Sequence, residues 1–234
     1  MADSAYHGLV LAAATLGLVL GASPALASAG DDGWYVTVAG TVTAPSDPET
    51  VIFNAPVAPA TLTIRDNLKS PGFGGLIAVG HRIGVLRVEA EVGHTYDKAK
   101  TYTSTAPITI TLPQTGGFAT TRYMANAVID IPIHGGIEPY FGGGIGYASY
   151  REKTFAPRAF APTAPAVQLI DYRLHHFAWQ AIAGLAVPLS PNLRGIMQAR
   201  YLDLGTATGQ DTRGQPITTR IRGMQFDAGI RFSF

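Results

Sequence analysis

From residue 30 onward, apolar and polar side chains alternate along the chain with a period of two residues. This alternation is typical of β-strands whose two faces meet different surroundings. We predict eight strands from it, most of them 9–14 residues long, and a tilted strand needs about 9–11 residues to cross a membrane. The predicted strands are 34–42, 72–83, 86–96, 120–131, 137–150, 176–188, 193–204 and 220–234.

The last predicted strand shows its two faces most clearly. One face carries Met224, Phe226, Ala228, Ile230, Phe232 and Phe234. The other face carries Gln225, Asp227, Gly229, Arg231 and Ser233. The third strand repeats the pattern, because Leu86 and Val88 alternate with Arg87. These strands therefore have one apolar face and one polar face.

Short and long connections alternate between the predicted strands. The short ones are 84–85, 132–136 and 189–192, and the long ones are 43–71, 97–119, 151–175 and 205–219. This order brings all the long loops to one end, as in transmembrane barrels, which have short turns on one side and long loops on the other. The predicted fold class is all-β, an eight-stranded antiparallel up-and-down transmembrane β-barrel with four long external loops.

Alternation alone does not say which face points into the barrel. A soluble barrel such as a lipocalin keeps its apolar face inside, around a ligand. A membrane barrel turns that face outward to lipid. Only 14% of the residues are charged, against roughly 25% in an average soluble domain. Arginines and carboxylates are also balanced on the polar face, which suits a narrow lumen because an unpaired buried charge is costly.

We expect the charged residues of the polar face to form a network of ion pairs in the lumen. The predicted members are Arg82, Arg87, Glu89, Glu91, Asp130, Glu138, Arg194, Arg200, Asp227 and Arg231. Small residues on the same face, such as Gly80 and Gly144, leave room for these long side chains. Because eight strands enclose a space just wide enough for side chains to fill, we expect a plugged lumen.

Aromatic residues lie near the ends of the predicted strands on the apolar face. They are Trp34, Tyr96, Tyr123, Tyr147, Phe177, Trp179, Tyr201, Phe232 and Phe234. Membrane barrels carry girdles of aromatic side chains at both interfaces of the bilayer. We therefore expect these residues to lie at the membrane interfaces.

The beginning of the chain has the features of a secretory signal peptide. Residues 8–20 form an apolar run of 13 residues, which is shorter than the roughly 20 that a membrane-spanning helix needs. Small residues around Ala25 and Ala27 then provide a cleavage site. We expect residues 1–27 to be the signal peptide and residues 28–234 to form the barrel domain.

The remaining chemistry of the sequence points away from catalysis. The chain has no cysteine and a net charge of +1, so we expect neither a thiol nucleophile nor nucleic acid as a partner. His175 and His176 have no further metal ligands nearby in sequence, and the glycine run 142–146 lies inside a predicted strand rather than in a phosphate-binding turn. We expect no cofactor, no metal and no enzyme activity.

Several motifs together carry a family resemblance. They include GFGGLIAVGHRIG at 72–84, MANAVIDIP at 124–132, EPYFGGGIGYA at 138–148 and FDAGIRFSF at 226–234. The chain resembles the eight-stranded outer-membrane β-barrel domain family, which includes opacity-type surface antigens and OmpA-like barrels. The resemblance implies the outer membrane of a Gram-negative bacterium, with its lipid as surroundings. It also implies that Phe234 is a C-terminal signal for the outer-membrane assembly machinery.

The function expected from this resemblance is that of an envelope structural protein and surface antigen with a plugged lumen. A small low-conductance channel is an alternative, and so is an adhesin that binds surface partners through loops 43–71 and 151–175. The lumen separates the first two possibilities, because a continuous water path past the arginines would allow conduction.

Overall fold

A computed structural model of the chain describes residues 32–44, 49–53, 61–67, 71–99, 101–104, 110–113, 115–133, 136–155, 168–210 and 216–234. Within these ranges the regular structure consists of β-strands, and none of it is a helix long and apolar enough to cross a membrane. The predicted signal peptide, residues 1–27, lies outside the described residues.

The described residues form strands of very different lengths. In chain order they are β1 (Gly33–Thr43), β2 (Glu49–Phe53), β3 (Thr61–Asn67), β4 (Gly72–Ile83), β5 (Leu86–Lys98), β6 (Thr101–Ser104), β7 (Ile110–Pro113), β8 (Thr115–Asp130), β9 (Glu138–Phe155), β10 (Gln168–Ser190), β11 (Leu193–Gln210) and β12 (Pro216–Ser233). The eight long ones match the eight predicted strands. The short ones, β2, β3, β6 and β7, fall in regions predicted to be loops.

The eight long strands form a closed antiparallel barrel in the order β1-β4-β5-β8-β9-β10-β11-β12. Strand β1 closes it, because Val36 lies opposite Val79 of β4 on one side and Phe232 of β12 on the other. Lipid offers no hydrogen bonds to the backbone, so a sheet in a membrane must close on itself. The predicted fold class is confirmed.

The two faces of the strands meet different surroundings, as the alternation predicts. On β5, Leu86, Val88 and Val92 are 41%, 47% and 49% exposed on the outside of the barrel. The neighbouring Arg87 and Glu91 are 1% and 3% exposed because they point into the lumen. Apolar residues outside and ions inside are the arrangement of a membrane barrel, so the soluble, lipocalin-like alternative is wrong.

The external loops contain more strand than predicted. The long pairs β9–β10 and β11–β12 continue to Phe155, Gln168, Gln210 and Pro216, so only the middle parts of the predicted loops 151–175 and 205–219 lie outside strands. Beyond the bilayer neither face of a strand has to be apolar. Backbone pairing therefore continues there without the alternation that reveals a strand in the sequence.

The short strands extend the sheet at the loop end of the barrel. Strand β2 pairs with the first residues of β12, and β3, β6 and β7 follow in turn. The predicted loop 43–71 therefore contains two strands, as does the predicted loop 97–119. These segments were missed because strands of 4–7 residues rich in Thr carry too little alternation to stand out.

The end of the barrel with the short turns also holds both chain ends of the domain. Gly84, in the two-residue turn between β4 and β5, has φ of 60°, which the tight hairpin turn needs and glycine adopts without steric cost. At the same end the Phe234 amide donates a hydrogen bond to the carbonyl oxygen of Trp34 at 3.0 Å. We call this the turn end, and the opposite end the loop end.

Candidate functional site

The lumen is the candidate functional site, because the inward faces of all eight barrel strands place polar and ionic side chains there. Glycines on these faces make the room. A Cβ atom at Gly80 would collide with the ring of Tyr35, one at Gly184 with the ring of Tyr140, and one at Gly93 with the guanidinium of Arg122. The predicted role of small residues on this face thus has a direct steric basis at Gly80.

Near the turn end, six ionic residues form what we call the turn-side cluster. Its members are Arg82, Arg87, Glu89, Asp130, Glu138 and Arg194. Arg87 lies between two carboxylates, with Nε 2.9 Å from Asp130 Oδ1 and Nη1 2.8 Å from Glu89 Oε1. Arg194 Nη2 donates to Glu138 Oε1 at 3.0 Å. Three arginines thus face three carboxylates.

Arg82 is held more loosely than the other members of this cluster. Its nitrogens lie 3.5 Å from Asp130 and 3.7 Å from Glu138, and its side chain is 16% exposed. Arg82 Nε also donates to the Gly84 carbonyl oxygen at 3.0 Å. Arg82 therefore lies at the side of the cluster nearest the turns.

Halfway along the lumen, Glu91, Arg122, Arg200 and Asp227 form what we call the central cluster. Arg200 Nη1 lies 2.7 Å from Glu91 Oε1, and its Nη2 lies 3.2 Å from Asp227 Oδ2. Arg122 Nε donates to Glu91 Oε1 at 3.0 Å. All four side chains are at most 2% exposed, and two positive charges again face two negative ones.

Neutral polar groups satisfy many of the remaining polar atoms of the central cluster, although both Nη nitrogens of Arg122 have no hydrogen-bond partner among the described residues. Asn126 Nδ2 donates to Glu91 Oε2 at 3.1 Å, and Gln180 contacts both Asn126 and Arg200. Thr41 donates to Asp227 Oδ1 at 2.6 Å. These bonds matter because a buried ion pair recovers its desolvation cost only when its remaining polar atoms are also satisfied.

The Arg200–Glu91 pair crosses the whole barrel. Arg200 lies on β11 and Glu91 on β5, and three strands separate these two on either side of the closed sheet. A salt bridge of 2.7 Å between opposite walls means that the two side chains together span the lumen at this level.

We predicted that Arg231 would pair with a carboxylate, but the structure shows a different environment. Among the described residues, its contacts are with neutral groups: Nε lies 3.4 Å from Thr37 Oγ1, and Cζ lies 5.1 Å and 5.5 Å from the ring centroids of Tyr35 and Tyr140. Glu89 is instead bound by Arg87 and by Tyr35, whose hydroxyl donates to Glu89 Oε1 at 2.8 Å. Aromatic faces attract guanidinium ions and replace part of their lost hydration.

Tyr140 also connects the two clusters. Tyr140 donates to Gln198 Oε1 at 3.0 Å, and Gln198 Nε2 donates to Asp227 Oδ2 at 2.8 Å. The Tyr140 ring lies 4.7 Å from the Arg87 guanidinium of the turn-side cluster. Ionic, aromatic and amide groups therefore run continuously from the turn end to the middle of the lumen.

Sequence reasoning missed Arg122, Tyr35 and Tyr140, and also the neutral residues that bind the ions, which are Thr41, Asn126, Gln180 and Gln198. Arg122 lies an even number of residues from Met124, Asn126 and Asp130, so its side chain points to the same, inward face of the strand. This spacing is visible in the sequence. Tyr35 and Tyr140 were missed because aromatic residues were expected only on the lipid side. The alternation along β1 and β9 places both side chains on the inward face, and it would have predicted their position in the lumen.

The lumen also contains apolar packing that the sequence analysis did not expect. One cluster of buried side chains includes Leu76, Val128, Tyr140, Ile182 and Ile196. A second cluster, nearer the loop end, is formed by Met124, Ala148, Ala178, Leu202 and Leu204. Apolar groups thus fill the space around the ionic clusters, on the turn side and on the loop side of the central cluster.

A small cavity of about 60 Å³ lies between the second apolar cluster and the loop end. It is lined by Thr43, Thr95, Thr120, Tyr150 and Gln225 among others. Thr43 donates a hydrogen bond to Asp97, which also borders the cavity. Within the described ranges, no three His, Cys, Asp or Glu side chains are grouped so that they could hold a metal ion.

The predicted interfacial aromatics lie in two bands on the outside of the barrel. Trp34 and Phe232 are 53% and 37% exposed at the turn end, where Phe232 stacks on Phe234 at 6.5 Å. The loop-end band contains Tyr96, Tyr123, Tyr147, Phe177, Trp179 and Tyr201. Tyr201 is half-buried because it packs on Trp179, with the ring centroids 5.5 Å apart.

Comparison with known proteins shows the family to which this chain belongs. The family described as "Outer membrane protein beta-barrel domain" matches residues 12–234. The chain belongs to this family. Its members are mostly non-enzymatic barrels, and the family places the chain in the outer membrane of a Gram-negative bacterium, in contact with its lipid.

Sequence and structure relatives of this family member agree with the assignment. An uncharacterized protein of Brucella abortus is 32% identical over 97 residues, which cover 40% of this chain and 34% of the relative. The chain thus matches about a third of the length of that relative. Neisserial surface protein A is 17% identical with a TM-score of 0.52, covering 86% of this chain and 97% of that one.

The outer membrane protein OprG from Pseudomonas aeruginosa is also similar in fold. It is 9% identical with a TM-score of 0.59, and the match covers 88% of this chain and 98% of that one. At these identities the two solved structures support the barrel fold of the family and carry no information about ligands.

Proposed function

We propose that this family member is a closed outer-membrane barrel that serves as an envelope structural protein and surface antigen, with a lumen plugged by side chains. The observation that carries the proposal is the Arg200–Glu91 salt bridge, which joins opposite walls of the barrel at 2.7 Å. With Arg122 and Asp227 it fills the cross-section at mid-height.

The energetics of buried ions support a permanent plug. Removing one partner of a buried ion pair costs about 3–5 kcal/mol, because the other charge is left without compensation. Opening a water path along the lumen would require the central cluster to separate, together with the chain from Tyr140 through Gln198 to Asp227. A gate that opened readily would be built from fewer and weaker contacts.

The second candidate function is a small low-conductance channel. The cavity beside Thr95 and Gln225 favours it, because a space of about 60 Å³ near the loop end can hold water. The cavity borders Gln225, and the central cluster begins one inward position further along β12, at Asp227. A channel would therefore need the Arg200 side chain to move aside.

Surface contacts of the loop end form the second part of the proposal. The predicted loops 43–71 and 151–175 contain strands β2 and β3 and the ends of β9 and β10, and their remaining residues lie outside the described ranges. Extended strands that carry the chain beyond the bilayer present it to antibodies or to partners on other surfaces. Adhesion is the alternative, and deleting residues 156–167 while measuring binding to partner surfaces tests it.

Assembly through the C-terminus completes the proposal. Phe234 follows β12, and its amide is held by the carbonyl oxygen of Trp34 at the turn end. In the folded barrel its ring stacks on Phe232. We propose that the assembly machinery reads Phe234 before the barrel closes, so that F234A lowers the amount of folded protein in the membrane.

Potassium leakage from liposomes tests the plug. Liposomes that contain the wild-type chain should retain potassium as well as liposomes without protein. The double variant R200A/E91A removes one positive and one negative charge from the central cluster, and we expect it to leak. The matched control is R220A, whose side chain is exposed and does not border the cavity. Equal leakage by wild type and double variant, both above that of empty liposomes, would favour the channel.

A further inference from the structure

We propose that the cavity at the loop end of the lumen binds a small primary alkylammonium ion, and we call it the amine pocket. Asp97, Thr95 and Gln225 hold the ammonium group, and the short alkyl chain lies against apolar side chains of the wall. The proposal goes beyond the proposed function and does not depend on conduction, because the pocket lies on the loop side of the Arg200–Glu91 bridge.

The amine pocket crosses the lumen above the central cluster and opens toward the loop end. Residues from six of the eight barrel strands line it, namely β1, β5, β8, β9, β11 and β12. On β5 the inner residue Thr95 is buried, and Asp97, nearer the loop end, is half-buried. On β12 the inner residue Gln225 is buried, and Ile221 is half-buried. Exposure therefore increases along both strands toward the external side.

Two buried oxygen atoms of the pocket residues lack a hydrogen-bond partner. Thr95 Oγ1 and Gln225 Oε1 accept or donate no hydrogen bond within the described part of the chain, and the two residues are 1% and 6% exposed. A buried polar atom without a partner is costly. An amide oxygen can only accept, and a threonine hydroxyl can also accept, so a ligand that donates hydrogen bonds satisfies both atoms.

Asp97 adds a negative charge to the same wall. Its carboxylate accepts a hydrogen bond from Thr43, whose Oγ1 in turn accepts one from the Gly72 amide at 2.8 Å. A Cβ atom at residue 72 would collide with both side chains, so this glycine allows them to approach. The hydrogen bond from Thr43 fixes the carboxylate in place but does not neutralise its charge.

Other charged groups near the pocket do not supply a counterion for Asp97. In the described ranges, no lysine, arginine or histidine forms an ion pair with it. The two arginines of the central cluster are already matched by its two carboxylates. Arg222 borders the pocket, but it lies on the outward face of β12, opposite Asp203 in register. The excess negative charge of the pocket selects a cation.

The size and the apolar wall of the pocket indicate an organic cation. A cavity of about 60 Å³ has room for about four to six water-sized groups. Much of its wall is formed by Phe118, Leu202, Leu204 and Ile221, and the Phe118 ring stacks on that of Tyr150 with centroids 5.7 Å apart. A bare alkali ion would leave this apolar wall uncovered. A calcium ion would need more oxygen ligands than a single carboxylate and a few neutral groups.

A primary ammonium ion with a short chain matches both parts of the pocket. Its three N–H groups can donate one hydrogen bond each to Asp97, Thr95 and Gln225. Its alkyl chain removes apolar surface of the wall from water, which is favourable. An ammonium ion with three carbon atoms has four non-hydrogen atoms and therefore fits the available space.

Titration of the purified chain with propylammonium tests the proposal. The full chain is folded in uncharged detergent micelles near neutral pH, and the amide NMR signals are followed. We expect the signals of Thr95, Asp97 and Gln225 to shift saturably at millimolar concentrations of the ligand. D97N keeps the shape of the side chain and can keep the hydrogen bond from Thr43, but it removes the charge. It should weaken binding about tenfold or more.

The matched control for charge is D32N, which removes an exposed carboxylate at the turn end. It should change the affinity for propylammonium less than about twofold. Q225M removes an acceptor with little change in size and should weaken binding about threefold, which gives a second test if D97N does not fold. Propanol has the same shape without the charge, and potassium ions lack the alkyl chain. Each should bind at least about tenfold more weakly than propylammonium.

The outcomes that would overturn the proposal are equally specific. They are the absence of a saturable shift with propylammonium, wild-type affinity in D97N, and an equal loss of affinity in D32N. Binding of propanol as tight as that of propylammonium would show that the charge of Asp97 does not select the ligand. Equally tight binding of potassium would show a simple cation site without a role for the apolar wall.

Discussion

At the scale of single residues, the lumen is organised by charge balance and steric fit. Each arginine of the two clusters lies within 3.7 Å of a carboxylate, and Arg231 lies over two tyrosine rings. Most of these ionic residues could be predicted, because the sequence shows both their charge and, through the alternation of each strand, that they lie on the inward face. Their individual partners could not, since pairing depends on which strands face each other across the barrel.

A double-mutant cycle on Arg200 and Glu91 tests the cross-lumen pair. We expect R200A and E91A each to lower the free energy of unfolding by about 3–5 kcal/mol, because each leaves a buried charge without its partner. The double variant should lose less than the sum of the two. Urea unfolding in detergent micelles measures these values. Additive losses would show that the two side chains do not interact.

Substitution of lumen glycines tests the steric fit. G80V should destabilise the barrel by about 1–3 kcal/mol, the usual cost of overpacking, because the new side chain meets the ring of Tyr35. G40A is the matched control, since its Cβ would lie 3.9 Å from the nearest atom, the carbonyl oxygen of Ala228. The heat stability of the folded band in electrophoresis compares them. Equal stability of G80V and wild type would contradict the packing described here.

At the scale of the elements, the lipid-facing stretches were predictable and the extensions above the membrane were not. Strand β5 was predicted at 86–96 and is found at Leu86–Lys98, because lipid and lumen impose strict alternation over that length. Strand β10 was predicted to begin at 176 but begins at Gln168. The first residues of β10 pair with β9 beyond the bilayer, where neither face of the strand has to be apolar.

The turn between β4 and β5 allows a test of backbone conformation. Because Gly84 has φ of 60°, G84V should destabilise the hairpin by about 1–2 kcal/mol, the cost of a left-handed conformation in a residue with a branched Cβ. G84N should be tolerated, since asparagine adopts this conformation more readily. Refolding yields into lipid vesicles report the difference. Equal yields for both variants would contradict the turn geometry.

At the scale of the whole molecule, a single physical constraint explains the architecture. The outer surface meets lipid, so the sheet closes and its ions turn inward, where they must be neutralised. The family, the location and the eight-strand count were therefore accessible from the sequence. The four short strands were not, because their position depends on pairing with the loop end of β12.

The position of the bilayer can be tested by introducing an arginine at two depths on the outer surface and comparing the loss of folding free energy. A90R places a charge near the middle of the lipid-facing run of β5 and should cost about 2–4 kcal/mol. L86R, at the turn end of the same face, should cost about 0–1 kcal/mol. Folding titrations in lipid vesicles measure both. A larger cost at Leu86 than at Ala90 would contradict the assigned membrane band.

The plugged lumen is the central claim of this account, and conductance across a planar bilayer tests it most directly. After insertion of the purified wild-type chain, the account predicts current that stays at the level of the bare bilayer at moderate voltages. Steady conductance steps from the wild-type chain would contradict it, because ions could then pass the Arg200–Glu91 bridge.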